Sequence, residues 1–158
     1  MSPPQKTKTE LPLRARALRL LARREHSRLE LARKLAHYTE DHAGIEQVID
    51  DLERRGWLSE QRVVEQVAAS KRRRFGARRI AHELREKGIS EDAIGAALPQ
   101  LKDSEPAAAR EVWRRKFGAL PANARDKARQ IRFLQGRGFD LEIILKLFKS
   151  NETADERG

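Results

Sequence analysis

The chain has 158 residues, of which 34 are Lys or Arg and 24 are Asp or Glu, so its formal net charge is +10. A surplus of this size favours a polyanionic partner such as nucleic acid, an acidic protein surface or an anionic membrane. The sequence contains no cysteine, which excludes disulfides, thiolate catalysis and cysteine-ligated zinc.

The composition predicts helices and no sheet. Hydrophobic residues make up 39% of the chain and aromatic residues only 5%, while Ala, Leu, Arg and Glu dominate and β-branched runs are absent. No apolar run approaches the ~20 residues needed to cross a bilayer, and residues 1–12 lack the apolar segment of a secretory signal. The chain is therefore not expected to span a membrane or to be secreted. We favour a cytoplasmic protein without a membrane partner, and we expect the polar residues 1–12 to be disordered.

The first predicted unit spans residues 13–58 and contains three helices with apolar residues at helical spacing. Its second helix begins at a capping box, in which Ser27 and Glu30 satisfy each other's backbone amides. That helix is expected to carry Tyr38 on its apolar face. The third helix ends at Gly56, a residue suited to a helix C-terminus.

A recurring helix junction indicates that this unit is repeated along the chain. Gly88-Ile89-Ser90 is followed by Ile94, and Gly138-Phe139-Asp140 is followed by Ile144. Each junction combines a terminating glycine, an apolar residue, an N-cap and a second apolar residue that closes a hydrophobic staple. Units this small are stabilised by stacking on their neighbours, so we expect an elongated and curved array.

The predicted fold class is therefore all-α, a tandem array of three three-helix, helix-turn-helix-like repeats. The second repeat is expected at residues 59–103 and the third at 104–149. A new helix is expected to begin at Ser104 and Pro106, because proline is tolerated in a first turn. The polar, mostly acidic residues 150–158 are expected to form a flexible tail.

Basic residues cluster beside the apolar faces of the second and third repeats. Residues 71–79 hold six basic residues and no acid. Arg125, Arg129 and Arg132 fall at i, i+4 and i+7, next to a predicted apolar stripe through Ala128, so they share one side of a helix. Repeated clustering of one sign of charge is costly unless a polyanion offsets it, which favours binding surfaces over purely solvated helix faces.

Two aromatic residues lie among these basic residues, Phe75 and Phe133. Rings between arginines can stack on nucleobases or on a partner protein, but for both residues a place in the core is the favoured interpretation. The candidate binding residues are Arg72, Arg73, Arg74, Arg78, Arg79, Arg85, Arg114, Arg115, Lys116, Arg125, Lys127, Arg129 and Arg132.

The sequence offers no catalytic constellation, so neither an enzyme nor a cofactor is predicted. The phosphate loop GxxxxGK(S/T), the zinc motif HExxH and the nucleophile motif GxSxG are all absent. The nearest approach to a metal site is His42, Glu46 and Asp50, at i, i+4 and i+8 on one helix face. No further carboxylate is predicted opposite them, so we interpret this face as solvated surface and expect no metal.

Several stretches resemble the RecX family, bacterial regulatory proteins that modulate the recombinase RecA. The stretch IAHELREKGI at residues 80–89 is similar to the family's second repeat, and KARQIRFLQGRGF at 127–139 to its third. The second repeat begins with SEQRVV at residues 59–64, where the family often has Asp-x-x-Arg-Phe/Tyr-Ala. The resemblance runs from Arg14 to Phe148, and its other matching positions are Ser27, Glu30, Leu31, Leu35, Leu52, Gly56, Leu58, Arg62 and the segment from Arg72 to Gly76.

The resemblance implies a partner and a role in DNA repair and recombination. RecX proteins lodge in the helical groove of the filament that RecA forms on single-stranded DNA, and most of them limit its recombinase, ATPase and coprotease activities. The candidate residues would then contact the RecA filament, single-stranded DNA and, weakly and non-specifically, double-stranded DNA. We expect a monomeric, non-enzymatic modulator of the filament, with inhibition favoured over activation.

Two other classes of function remain open from the sequence. Three-helix units with short turns permit a helix-turn-helix transcriptional regulator. The predicted third helices, DAIGAALPQL at residues 92–101 and LEIILKLF at 141–148, are poor in the side chains that read base edges. The other class is a protein adaptor that never touches DNA, whose binding would persist at high salt.

Overall fold

The structure, a computed structural model, describes residues 11–157, and side chains from residue 11 to 153. The predicted disordered segment lies outside the described residues except for its last two. Within the described range the chain forms eight α-helices and no strand, which confirms the all-α prediction. The helices are α1 (Leu13–Arg23), α2 (Arg28–Leu35), α3 (His42–Arg54), α4 (Glu60–Lys71), α5 (Ala77–Glu86), α6 (Glu91–Lys116), α7 (Ala124–Gly136) and α8 (Leu141–Arg157).

These helices belong to two compact units, and the boundary falls inside α4 between Val63 and Val64. In the first unit α1, α2 and α3 pack on one another around fully buried aliphatic residues such as Leu35 and Ile49. In the second unit α6 packs on α5, α7 and α8, and α7 also packs on α8. None of the helices among the described residues is long and apolar enough to cross a membrane.

The start of α2 follows the prediction, but its end does not. Ser27 Oγ accepts the Glu30 N–H at 3.1 Å, and Glu30 Oε1 accepts the Ser27 N–H at 3.2 Å, so the capping box is present. Tyr38, expected on the apolar face of the helix, lies beyond its end and is 59% exposed. The Tyr38 N–H donates to Leu35 O at 3.0 Å, an i to i+3 bond that tightens the chain and carries the ring off the helical stripe.

The predicted helix start at Ser104 is wrong, because α6 is one continuous helix that passes through Pro106. Ser104 Oγ donates to Leu101 O at 3.1 Å instead of capping a new helix. Leu101, Glu105 and Ala108 are all buried and lie on one side of α6, across the expected boundary. Continuous packing on that side offsets the hydrogen bond that the proline removes, so the second and third repeats share a helix.

The C-terminal helix is longer than predicted. α8 continues to Arg157, although a flexible tail is expected from residue 150. No glycine or proline interrupts the chain between Asp140 and Arg157. The side chain of Asn151 donates back to Leu147 O at 3.0 Å, which ties the expected tail to the preceding turn of the helix.

The buried side of α7 is centred on Gln130 and Leu134, and Ala128, expected on the apolar stripe, is exposed. A buried hydrogen bond explains the difference. Trp113 Nε1 donates to Gln130 Oε1 at 2.8 Å, and Gln130 Nε2 donates to Ala119 O at 3.2 Å. Because both ends of the amide have partners, its burial is not penalised, and a hydrophobicity pattern that counts glutamine as polar misses it.

Candidate nucleic-acid interface

The start of α5 and the end of α7 approach each other backbone to backbone. The Gly76 N–H donates to Arg137 O at 2.8 Å. Gly138 has a φ of +89°, a backbone conformation that residues other than glycine rarely adopt. A Cβ atom at this position would overlap Arg79. This contact, which we call the glycine junction, fixes the basic segment 71–79 beside the C-terminus of α7.

A buried carboxylate supports the glycine junction from α6. Glu105 is 3% exposed, and its Oε1 accepts the N–H of Asp140, just before α8, at 3.2 Å. It also accepts the N–H of Ala77, the first residue of α5. Burial raises the pKa of Glu105, an effect that the two N–H donors oppose in part and the charge of Asp140 reinforces. One side chain thus satisfies a free amide at the start of each helix.

Two predicted binding residues at the glycine junction are held by internal contacts. The guanidinium of Arg78 forms an ion pair with Asp140 at 3.1 Å. Arg79 Nη1 donates to Gly136 O at 3.2 Å, and its Cζ lies 4.3 Å from the centroid of the Phe75 ring. Both side chains therefore connect α5 to the end of α7 or the start of α8.

A row of alternating rings and cationic groups extends from Phe75 to α7. The Cζ of Arg137 lies 5.3 Å from the ring centroids of both Phe75 and Phe133. Phe133 makes a T-shaped contact with Phe117, with centroids 5.5 Å apart, and Lys116 Nζ lies 5.2 Å from the Phe133 centroid. Phe117 and Phe133 are half-buried against the core, so these rings serve packing while holding cations near the surface.

The basic residues predicted to share one side of α7 do lie together. Arg125, Arg129 and Arg132 line one shallow depression with a volume of about 380 Å³. Arg129 Nη2 donates to Asp126 Oδ1 at 2.8 Å, and this hydrogen bond lowers the pKa of Asp126. Arg125 and Arg132 are exposed and pair with no carboxylate among the described side chains. Lys127, on another side of α7, is also exposed.

The arginines that follow α4 face a second depression. Arg72 and Arg73 line a groove of about 360 Å³ together with Glu111 and Arg115 of α6. Arg115 Nε donates to Glu111 Oε1 at 3.2 Å, so this carboxylate already has a partner. Arg74 is exposed beside them.

The predicted binding residues thus fall into two groups. The anchored group makes ion pairs, hydrogen bonds or ring contacts inside the molecule and comprises Arg78, Arg79, Arg85, Arg115, Lys116 and Arg129. In the open group the side chains are exposed and make no ion pair, side-chain hydrogen bond or ring contact with the described residues; this group comprises Arg72, Arg73, Arg74, Arg114, Arg125, Lys127 and Arg132.

Sequence reasoning missed two residues that organise this region. Arg137, the residue that follows α7, lies between two rings, and its spacing of four residues from Phe133 is a signal that could have pointed to it. No pattern singles out Glu105, since an isolated glutamate in a charged helix normally faces solvent.

An arginine contacts the acidic face of α3, which includes Glu46 and Asp50 of the metal-site candidate. Arg28, at the start of α2, contacts Glu46 at 3.0 Å, Asp50 at 2.7 Å and Glu53 at 3.5 Å. Among the described residues no group of three metal-ligating side chains comes together. Ion pairing inside the first unit therefore accounts for these carboxylates.

Three-helix repeats in tandem, with clustered surface arginines, define a class of basic helical-repeat proteins. Comparison with known families places the chain within this class. Residues 14–52 match the first three-helix domain of RecX, residues 59–98 the second and residues 103–148 the third.

Whole-chain relatives agree with the domain matches. The chain is 50% identical over 140 residues to the regulatory protein RecX of Leptothrix cholodnii, covering 89% of each chain. It is 43% identical over 143 residues to that of Chromobacterium violaceum, covering 90% of this chain and 93% of the other. The crystal structure of RecX from Lactobacillus salivarius superposes with a TM-score of 0.73 at 18% identity, over 89% of this chain and 95% of that one. The chain belongs to the RecX family of regulatory proteins, which confirms the resemblance seen in the sequence.

Proposed function

We propose that this protein binds the RecA filament on single-stranded DNA and inhibits it without catalysing a reaction itself. Relatives named regulatory protein RecX, similar over nearly the whole chain, support a regulatory role. The observation that carries the proposal is the open group, exposed basic side chains on two successive repeats that lack a carboxylate partner among the described residues. Arginines left without counter-charges attract phosphates and acidic protein surfaces.

The two groups of basic residues would have different roles in binding. Guanidinium groups of the open group donate hydrogen bonds to phosphate oxygens, and such contacts position a protein without reading base sequence. Arg78 and Arg79 of the anchored group make contacts across the glycine junction, so the segment that carries Arg72 to Arg74 projects from a fixed backbone. A monomer bound in this way in the cytoplasm would cover DNA phosphates and recombinase surface, which is why we expect inhibition.

The decisive measurement is single-stranded-DNA-dependent ATP hydrolysis by the cognate RecA, with this protein added at increasing concentration. The wild-type chain should reduce the rate. The triple variant Arg72→Gln, Arg73→Gln, Arg74→Gln should need a higher concentration for the same reduction. A matched control removes the same charge from exposed ion pairs, by the changes Arg55→Gln, Arg85→Gln and Lys146→Gln.

The outcomes separate the alternatives. If the folded wild-type chain leaves ATP hydrolysis unchanged, filament regulation is wrong. A strong preference for one duplex sequence would favour a helix-turn-helix transcriptional regulator. Binding to RecA that persists at high salt without DNA would favour an adaptor. Equal loss of inhibition by the triple variant and its control would mean that total charge, and not the open group, drives binding.

A further inference from the structure

A second basic surface lies on α1, in the first unit. α1 contains no acidic residue, and three of its arginines, Arg16, Arg19 and Arg23, fall at i, i+3 and i+7, so they share one side of the helix. Arg19 and Arg23 are exposed and pair with no carboxylate among the described side chains. This arginine row is separate from both groups of candidate residues in the second unit.

An exposed aromatic ring lies beside the first arginine of this row. Tyr38 is 59% exposed, more than any other large hydrophobic side chain among the described residues. The Cζ of Arg16 lies 3.8 Å from its ring centroid, so a guanidinium covers one face of the ring. The hydrogen bond from the Tyr38 N–H to Leu35 O, at 3.0 Å, fixes the backbone that carries the ring.

We propose that the arginine row and Tyr38 together bind single-stranded DNA, with one nucleobase stacked on the ring and phosphates along the row. Stacking on an aromatic ring tolerates any base, and a guanidinium on the opposite face strengthens the platform. The row rises about 10 Å along the helix axis, enough to follow an extended backbone past more than one phosphate. This inference rests on the proposed function, because both require that the protein binds a polyanionic partner.

The other exposed aromatic residue of the first unit shows why Tyr38 is the platform. Trp57 lies between two guanidinium groups, those of Arg14 and Arg55, whose Cζ atoms are 5.5 and 5.6 Å from its centroid. Both arginines also contact Asp51, each at 3.1 Å. The arginines over the Trp57 ring are therefore already neutralised by Asp51. The arginine row beside Tyr38, by contrast, contains Arg19 and Arg23, which pair with no carboxylate among the described side chains. Bases inside a duplex are stacked and unavailable, so an exposed ring selects unpaired bases.

The test measures dissociation constants of the full chain for two strands of equal length, oligothymidylate and an abasic deoxyribose–phosphate strand. Tyr38→Ala should weaken binding of oligothymidylate about five- to a hundred-fold and leave binding of the abasic strand unchanged. Tyr38→Phe keeps the ring and should bind both strands like the wild type. Arg19→Gln with Arg23→Gln should weaken both strands, whereas the charge-matched control Arg54→Gln with Arg55→Gln should weaken neither.

Each other outcome is informative. If Tyr38→Ala binds oligothymidylate as tightly as the wild type, this inference is overturned and the proposed function stands. If Tyr38→Ala loses both strands equally, the ring only holds Arg16 in place, and base stacking is wrong. A Tyr38→Ala variant that binds DNA normally but no longer affects RecA would show a protein contact instead. Failure of the wild-type chain to bind either strand would overturn this inference and the DNA-binding part of the proposed function together.

Discussion

At the glycine junction Arg78 pairs with Asp140 at 3.1 Å and Arg79 donates to Gly136 O at 3.2 Å, whereas Arg125 and Arg132 on the outer side of α7 contact no carboxylate of the described residues. The same sequence pattern, arginines beside an apolar helix face, predicts binding residues in both regions. Clustered arginines therefore serve two purposes in this protein. Those next to a turn of another helix stabilise the fold, and those facing solvent remain available to a partner.

The glycine junction differs from the outer side of α7 because two backbone segments are in direct contact there. Adding one methyl group at Gly138 tests this contact. The φ of +89° at Gly138 disfavours a side chain by about 1–2 kcal/mol, and overlap of the new Cβ with Arg79 adds about 1–3 kcal/mol. We expect Gly138→Ala to lower the free energy of unfolding by about 2–5 kcal/mol, measured by urea denaturation.

Gly56→Ala is the matched control for this variant. Gly56 has a φ of +76°, but nothing lies within 4 Å of an added Cβ. Gly56→Ala should therefore lower the free energy of unfolding only by the cost of the positive φ, about 1–2 kcal/mol. If the two variants lose the same stability, the close backbone approach at the glycine junction is wrong.

Glu105 supplies the next largest effect, because it satisfies backbone amides at both Ala77 and Asp140. Glu105→Gln replaces one acceptor oxygen with a donor and should lower the free energy of unfolding at neutral pH by about 1–3 kcal/mol. Far-ultraviolet circular dichroism during urea denaturation measures this loss. The glutamine variant also isolates the titration of this one carboxyl group.

The pH dependence of that loss has a definite sign. Burial raises the folded-state pKa of Glu105 above its ordinary value of 4.5, so the folded protein binds this proton more tightly than the unfolded chain. The stabilisation from this group is complete below about pH 4.5 and is lost as the pH rises through the folded-state pKa. The difference in unfolding free energy between the wild type and Glu105→Gln should therefore grow as the pH falls towards 4.5. A difference that shrinks would show that the two N–H donors outweigh burial.

Local rules sufficed for much of the fold. The all-α class, the capping box at Ser27 and the terminating glycines at Gly56, Gly88 and Gly138 depend on residues only a few positions apart, and the structure contains each of them. The continuity of α6 could not be predicted in this way. It depends on burial of one helix side by elements distant in the chain, which outweighs local signals such as Ser104 and Pro106.

The candidate interface was predictable only as a set of residues. The sequence pattern predicted which arginines are candidates. It could not predict their partners, because Asp140 lies 62 residues from Arg78 and Gly136 lies 57 residues from Arg79. Pairings of that range depend on how α5, α7 and α8 pack. The sequence therefore could not divide the arginines into an anchored group and an open group.

The smallest expected change in stability, and the most direct test of that division, comes from two charge-matched double variants. Arg78→Gln with Arg79→Gln removes anchored residues and should cost about 1 kcal/mol of unfolding free energy, the sum of a surface ion pair and a cation–ring contact. Arg125→Gln with Arg132→Gln removes open residues and should change stability by no more than about 0.5 kcal/mol. Thermal and urea denaturation measure both.

The two double variants should have the opposite order of effect on DNA binding. Each phosphate contact contributes about 0.7 to the slope of log affinity against log salt for a single strand, so the Arg125 and Arg132 variant should reduce the magnitude of that slope by about 1.4. The Arg78 and Arg79 variant should keep the wild-type slope. Because both variants lose the same formal charge, a general effect of net charge would lower both slopes equally. Equal slopes would therefore contradict the division into groups, and a reversed order would place the interface at the glycine junction.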